Sequence, residues 1–158
     1  MSFQNNKLIQ KQMVNEILQC NEVTENYGLA LSESQAIDLL NTRIMALKGS
    51  GRVELSNGIV DKIIRKFCAS PYITSQNYTE IINSLVEMFY YYKNETMELI
   101  GDDDLINFMS EAFNNVCKGS LELLSDRELY NLSRNLRFGF AADYVEPIDD
   151  DDDDEEEE

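Results

Sequence analysis

The sequence predicts an all-α fold, an irregular or orthogonal bundle of about six helices around one long central helix. Apolar residues recur at steps of three and four in segment after segment, which is the period of one helix face. The connections between those segments are short and carry glycines or a proline, and no βαβ alternation is present. The longest pattern covers residues 74–100, where Tyr78, Ile81, Ile82, Leu85, Val86, Phe89 and Tyr92 mark one face. The remaining segments can bury their own stripes only by packing on it.

In chain order, Leu8, Ile9, Met13, Val14, Ile17 and Leu18 predict a first helix over residues 5–20. Gly28 supplies the following turn, with Leu29 and Leu31 reaching back to the core. Ser32 and Gln35 have the spacing of a capping box, in which hydroxyl and side-chain amide satisfy free backbone N–H groups reciprocally. The helix they open turns Ala36, Ile37, Leu40, Ile44 and Leu47 inward and ends at Gly49. GSGRVELSNG follows, an extended loop or a minor strand with no partner strand.

Asn57 and Gly58 open a third helix faced by Ile59, Val60, Ile63, Ile64 and Phe67. Pro71 ends it, because the residue before a proline avoids helical geometry. Thr74 or Ser75 caps the central helix, which has a candidate bend at residues 93–95 and stops at Gly101. Asp102, Asp103 and Asp104 place negative charge where a fifth helix begins, at the positive end of its dipole. Leu105, Phe108, Met109, Ala112, Phe113 and Val116 form its buried stripe, and Gly119 closes it. Leu121, Leu123 and Leu124 make one short turn. Ser125 with Glu128 is a second capping box, opening a sixth helix with Leu129, Leu132 and Leu136 inside.

With 158 residues and 43% hydrophobic side chains, the chain is large enough to bury a core without disulfides or a structural metal. Residues 1–140 read as one helical domain and residues 141–158 as a disordered acidic tail, since ten contiguous carboxylates at 149–158 repel one another and bury no apolar surface. Without those ten, twenty acids stand against thirteen bases, so the body is itself negative. Such a body repels nucleic acid and anionic membranes. The N-terminal residues lack the apolar run of a signal peptide, and no eighteen apolar residues are contiguous, which predicts a cytoplasmic location and no membrane span. Three widely spaced cysteines, Cys20, Cys68 and Cys117, suit a reducing compartment.

The absence of histidine excludes the Ser-His-Asp and Cys-His arrangements and imidazole metal ligands. No GxGxxG, GxxxxGK[ST] or CxxC pattern is present. Each cysteine falls in the last turn of a predicted helix, where the dipole disfavours a thiolate, so all three read as core residues. The aspartates 102–104 lack the glycine and distal glutamate of a cation loop, because the twelfth position is Phe113. No catalytic residue, metal ligand or cofactor is assigned.

Phe89, Tyr90, Tyr91 and Tyr92 wrap the central helix, since four consecutive positions cover about 300° of arc. Two of these rings belong to the core and at least one to the surface, where tyrosine favours partner contacts. The four are the candidate partner-binding residues. The acidic tail is either a solubilising extension or a polyanionic arm that competes for a basic surface, on a partner or on this domain's own cluster of Lys62, Arg65 and Lys66.

The stretch YYYKNETMELI is similar to the opening of the helix after the DNA-binding unit in tetracycline-repressor-type regulators. No lysine or arginine lies between Pro71 and Tyr92, so a recognition helix there has nothing to neutralise phosphates. Across residues 8–139, NYGLALSESQA, SGRVELSNGIVDKII, FCASPYI, FYYYKNET and GSLELLSDRELYNLSRNLRFG resemble a family of small proteins of unknown function from Gram-positive bacteria. The resemblance implies a bacterial cytoplasmic protein and carries over no catalytic residue.

Three classes of function follow. One is a helical interaction or regulatory module that binds a protein partner, or a second copy as a homodimer, through the aromatic surface. Another is a histidine-free enzyme using carboxylates or lysine, which requires a deep pocket with convergent ionisable groups. The third is an acidic phosphate mimic that modulates a nucleic-acid-binding protein without touching nucleic acid itself.

Overall fold

The computed structural model describes residues 3–54 and 58–139, with side chains from residue 7 onward; the acidic tail lies outside the described residues. Every regular element among the described residues is helical, so the all-α fold holds.

Helix α1, Phe3–Gln19, buries Val14 and Ile17 while Leu8 and Ile9 stay exposed. A single turn α2, Asn21–Thr24, and a 3-10 turn, Glu25–Tyr27, lead to left-handed Gly28. Asn21 fixes the return by donating to the Leu31 carbonyl and accepting the Leu31 N–H. The buried Thr24 hydroxyl donates to Leu29 O at 2.8 Å.

Helix α3, Glu33–Ser50, starts at the capping box, with both halves formed between Ser32 and Gln35. It ends at left-handed Gly51 rather than at Gly49. Its inward stripe is Ala36, Leu39, Leu40, Arg43 and Leu47. Ile37, expected inside, is exposed, because the helix is turned to bring Arg43 into the core. Helix α4, Val60–Phe67, buries the four apolar residues Val60, Ile63, Ile64 and Phe67, with Ile59 buried just before it.

The central helix α5, Tyr78–Glu95, is shorter than its sequence pattern at both ends. Residues 74–77 are a turn in which the Asn77 side chain accepts from Thr74 N and donates to Tyr72 O. At the other end, Met97 and Glu98 both have left-handed backbone, φ 55° and 57°. Such a conformation costs on the order of 1–2 kcal/mol per L-residue, so neighbours must hold it. Glu98 N–H donates to Lys93 O and Met97 N–H to Asn94 O. The ammonium of buried Lys93 donates to Ile100 O and pairs with Asp102 at 2.9 Å. A cation in the last turn also suits the negative end of the helix.

Helix α6, Asp102–Asn114, buries Leu105, Ile106, Met109, Ala112 and Phe113; Val116, expected in its stripe, is past the helix end and exposed. The last helix is capped by Ser120, whose hydroxyl accepts Leu123 N–H at 3.1 Å. It runs through α7, Leu121–Leu123, a π-helical stretch Leu124–Leu129, and α8, Tyr130–Arg137. The Ser125–Glu128 capping box is therefore absent, since both residues already lie inside the helix. The Ser125 carbonyl, in the wide π turn, instead accepts the Tyr92 hydroxyl at 2.6 Å.

Helix α5 packs on α3, α4, α6 and α8, with Ile82, Leu85, Val86 and Phe89 fully buried between them. Helices α3 and α5 run in the same direction: Thr42 donates to Asn83 near their middles, and Asn94 donates to the Ser50 carbonyl at their C-terminal ends. Among the described residues no helix is long and apolar enough to cross a membrane.

Candidate functional site

The aromatic run divides by depth. Phe89, Tyr90 and Tyr92 are buried, and only Tyr91, at 57% exposure, reaches the surface. Burial of the other three follows from the central position of α5, packed on α3, α4, α6 and α8, while Tyr91 lies on the side that is open among the described residues. Tyr92 turns towards the last helix through its bond to Ser125 O. Its ring then stands edge-on to Tyr91, with centroids 4.9 Å apart, and braces the exposed ring.

Tyr90 points the opposite way, into a network that sequence reasoning missed. Its hydroxyl donates to Glu54 Oε1 at 2.5 Å, and the same oxygen accepts from Arg43 Nη2 at 3.1 Å. Arg43 is 2% exposed and also reaches Met13 Sδ at 3.8 Å. Gly58 completes the enclosure: a β-carbon built there, at φ 59°, would lie 2.0 Å from Glu54 Oε1. Burial, and then the Glu54 carboxylate that accepts its proton, push the Tyr90 hydroxyl pKa well up. The group is thus a neutral donor that clasps the loop after α3 to the core. A signal existed in the sequence, since Arg43 stands at the spacing of Leu39 and Leu47 and must share their face.

On the outer side of the same helix pair lies a groove of about 470 Å³. Met45, Ala46 and Gly49 form its α3 wall, and Glu87, Tyr91 and Glu95 its α5 wall. The groove exists because α3 carries small residues at 46 and 49, where a β-carbon added to Gly49 would meet nothing within 4 Å. Met45, 67% exposed, stands across from Tyr91. Arg137 reaches the Glu95 carboxylate at 3.6 Å from the last helix.

A second cleft, of about 460 Å³, lies between α4 and α6 and is lined by Lys62, Arg65, Lys66 and Asp103. The basic cluster is therefore assembled on one face, but it is largely compensated: Lys62 pairs with Asp103 at 2.9 Å and Arg65 with Asp61 at 3.9 Å. The hydrogen bond to Asp103 and its charge raise the Lys62 pKa, the opposite of what a catalytic lysine base needs.

The thiols are buried, and burial raises the pKa of each. Cys20 and Cys68 come within electrostatic reach of Tyr78, while Cys117 lies apart from them beside Arg127 and Glu128. Among the described residues no three cysteine or acidic side chains are placed to hold a metal ion. The Tyr78 hydroxyl lies beside that of Thr24 outside full hydrogen-bond geometry, and burial pushes its pKa up to about 12.

Neither the curated proteins nor the solved structures contain a match to this chain. The model of a family of unknown function, DUF6323, matches residues 16–142, which takes in every helix from the end of α1 onward, and the chain belongs to that family.

Proposed function

We propose that this protein is a helical interaction or regulatory module whose contact surface is the outer groove between α3 and α5. The observation that carries the reading is Tyr91, exposed at 57% opposite Met45 while its three aromatic neighbours are buried. An exposed, braced tyrosine beside a flexible thioether is a favourable anchor, because both give apolar contact at low ordering cost. Three buried free thiols support a reducing, cytoplasmic setting, and the sequence resemblance supports a bacterial one. The matched residues end at 142, which supports reading the acidic segment beyond them as an extension with its own role.

The test is photo-crosslinking in the cell of origin, with a benzoylphenylalanine placed at position 45 and, as control, at exposed position 111 on α6. Discrete protein adducts from position 45 alone are expected. Identical adducts at both positions, or none at position 45, would remove the groove as a contact surface.

A further inference from the structure

We infer that the groove recognises a cation, and that its occupant is an arginine-bearing amphipathic segment of a partner protein. This rests on the interaction reading above and adds the chemistry of the partner. Glu87, Tyr91 and Glu95 are spaced by four, so they form one stripe along α5, with a carboxylate on either side of an aromatic ring. A guanidinium over a tyrosine face gains roughly 0.5–1 kcal/mol at an exposed site, and flanking carboxylates add charge-assisted hydrogen bonds. Met45 and Ala46 on the facing wall offer apolar contact, so the complementary segment carries both cations and apolar side chains.

The electrostatics of the surroundings decide between occupants. Both α3 and α5 end at the same end of the groove, and the negative ends of their two dipoles lie there together. Lys48, in the last turn of α3, is exposed but does not line the groove, and buried Lys93 is engaged by Asp102 and Ile100 O. One end of the stripe already holds a guanidinium of this chain: Arg137 pairs with Glu95 at 3.6 Å while packing against the Phe138 ring. Glu87 makes no ion pair among the described residues and remains available for a second. A second copy of this chain would bring the same carboxylates to the contact, and its own acidic tail would bring ten more. Like charges facing one another disfavour both, as they do a nucleic acid.

The proposal is tested with the full chain and a defined probe, an end-capped amphipathic helical peptide with leucines at steps of three and four and arginines beside them, and its twin with citrulline for every arginine. Fluorescence anisotropy should show the arginine peptide binding at least about tenfold more tightly, with the margin shrinking as salt rises. The double substitution Glu87→Gln with Glu95→Gln should weaken it about fivefold, and Glu111→Gln with Glu122→Gln, which removes as much charge elsewhere, should not. Tyr91→Phe should keep the affinity and Tyr91→Leu lose about threefold, since the ring face and not the hydroxyl meets the cation. The Met45 methyl resonance should shift on titration.

Equal loss from the two glutamine pairs would reduce the effect to overall charge and overturn the proposal. A citrulline peptide that binds as well and still shifts Met45 would overturn the cation chemistry while leaving the groove as a contact surface. A peptide that leaves Met45 unshifted, together with no adducts from position 45, would remove both readings.

Discussion

Tyr90 and Tyr91 are adjacent in the sequence and opposite in circumstance. One places its hydroxyl on a partly buried carboxylate held by Arg43; the other lies 57% exposed between two acidic residues of its own helix. The inner side of α5 is thus closed, neutralised and bonded, whereas the outer side has unmatched charge and open apolar surface. Stability is concentrated on the first and available for recognition on the second. This division predicts that substitutions one residue apart have effects on folding that differ by an order of magnitude.

The largest expected effect is at the centre of the inner clasp. Glu54→Ala leaves the Arg43 charge and the Tyr90 hydroxyl buried without their common acceptor, a change that costs about 3–5 kcal/mol for a buried pair. Urea unfolding should show this loss, and adding Tyr90→Phe to it should cost less than Tyr90→Phe alone, because the two share one bond. Additive losses would mean that the oxygen shared by both donors is not what secures the loop. Gly58→Ala should follow, at about 2–4 kcal/mol, since it combines a left-handed alanine with a β-carbon in the space of the Glu54 carboxylate.

A pH measurement sharpens the same contrast. The Tyr78 and Tyr90 hydroxyls have their pKa values raised in the fold, Tyr78 to about 12, with burial the main cause. For a raised pKa, the native state keeps a proton that the unfolded chain gives up, so the stability is complete below pH 10 and is lost as pH rises through the folded value. Between pH 10 and 12 the contribution lost at Tyr78 should be on the order of 2 kcal/mol, and Tyr78→Phe should flatten the curve over that window. An unchanged slope in the phenylalanine variant would show that this hydroxyl is not sheltered.

The sequence made the number and order of helices legible, because apolar spacing reports which face is buried. The Ser32–Gln35 box was readable in full, as two side chains three apart suffice to make it. The Ser125–Glu128 pair has the same spacing and forms no capping box, because Ser120 caps first and the chain is already helical there. A local motif gives local geometry only when no earlier residue satisfies the same N–H groups. The end of α5 was read too late for a related reason: Met97 and Glu98 carry no glycine signal, and their left-handed backbone depends on Lys93, whose partners come from the next segment. The inner clasp was hidden because Glu54 sits in a loop and its two partners stand 11 and 36 residues away. Of the candidate surface, the aromatic run was visible, but which ring faces outward depends on Ser125 and Glu54 taking the other two hydroxyls.

The smallest expected effect is the most informative about the outer side. Tyr91→Ala should change stability by no more than about 0.5 kcal/mol, because the ring is exposed and its main support is the edge of Tyr92, which stays fixed by Ser125 without it. Val86 or Phe89 cut to alanine on the same helix should cost several times more, about 2–5 kcal/mol, through lost burial and a residual cavity. Thermal unfolding of the three variants checks the ranking. A Tyr91→Ala loss comparable to that of Phe89→Ala would mean that the ring packs as part of the core, and the outer groove would then be a structural seam whose exposed tyrosine has no surplus to offer a partner.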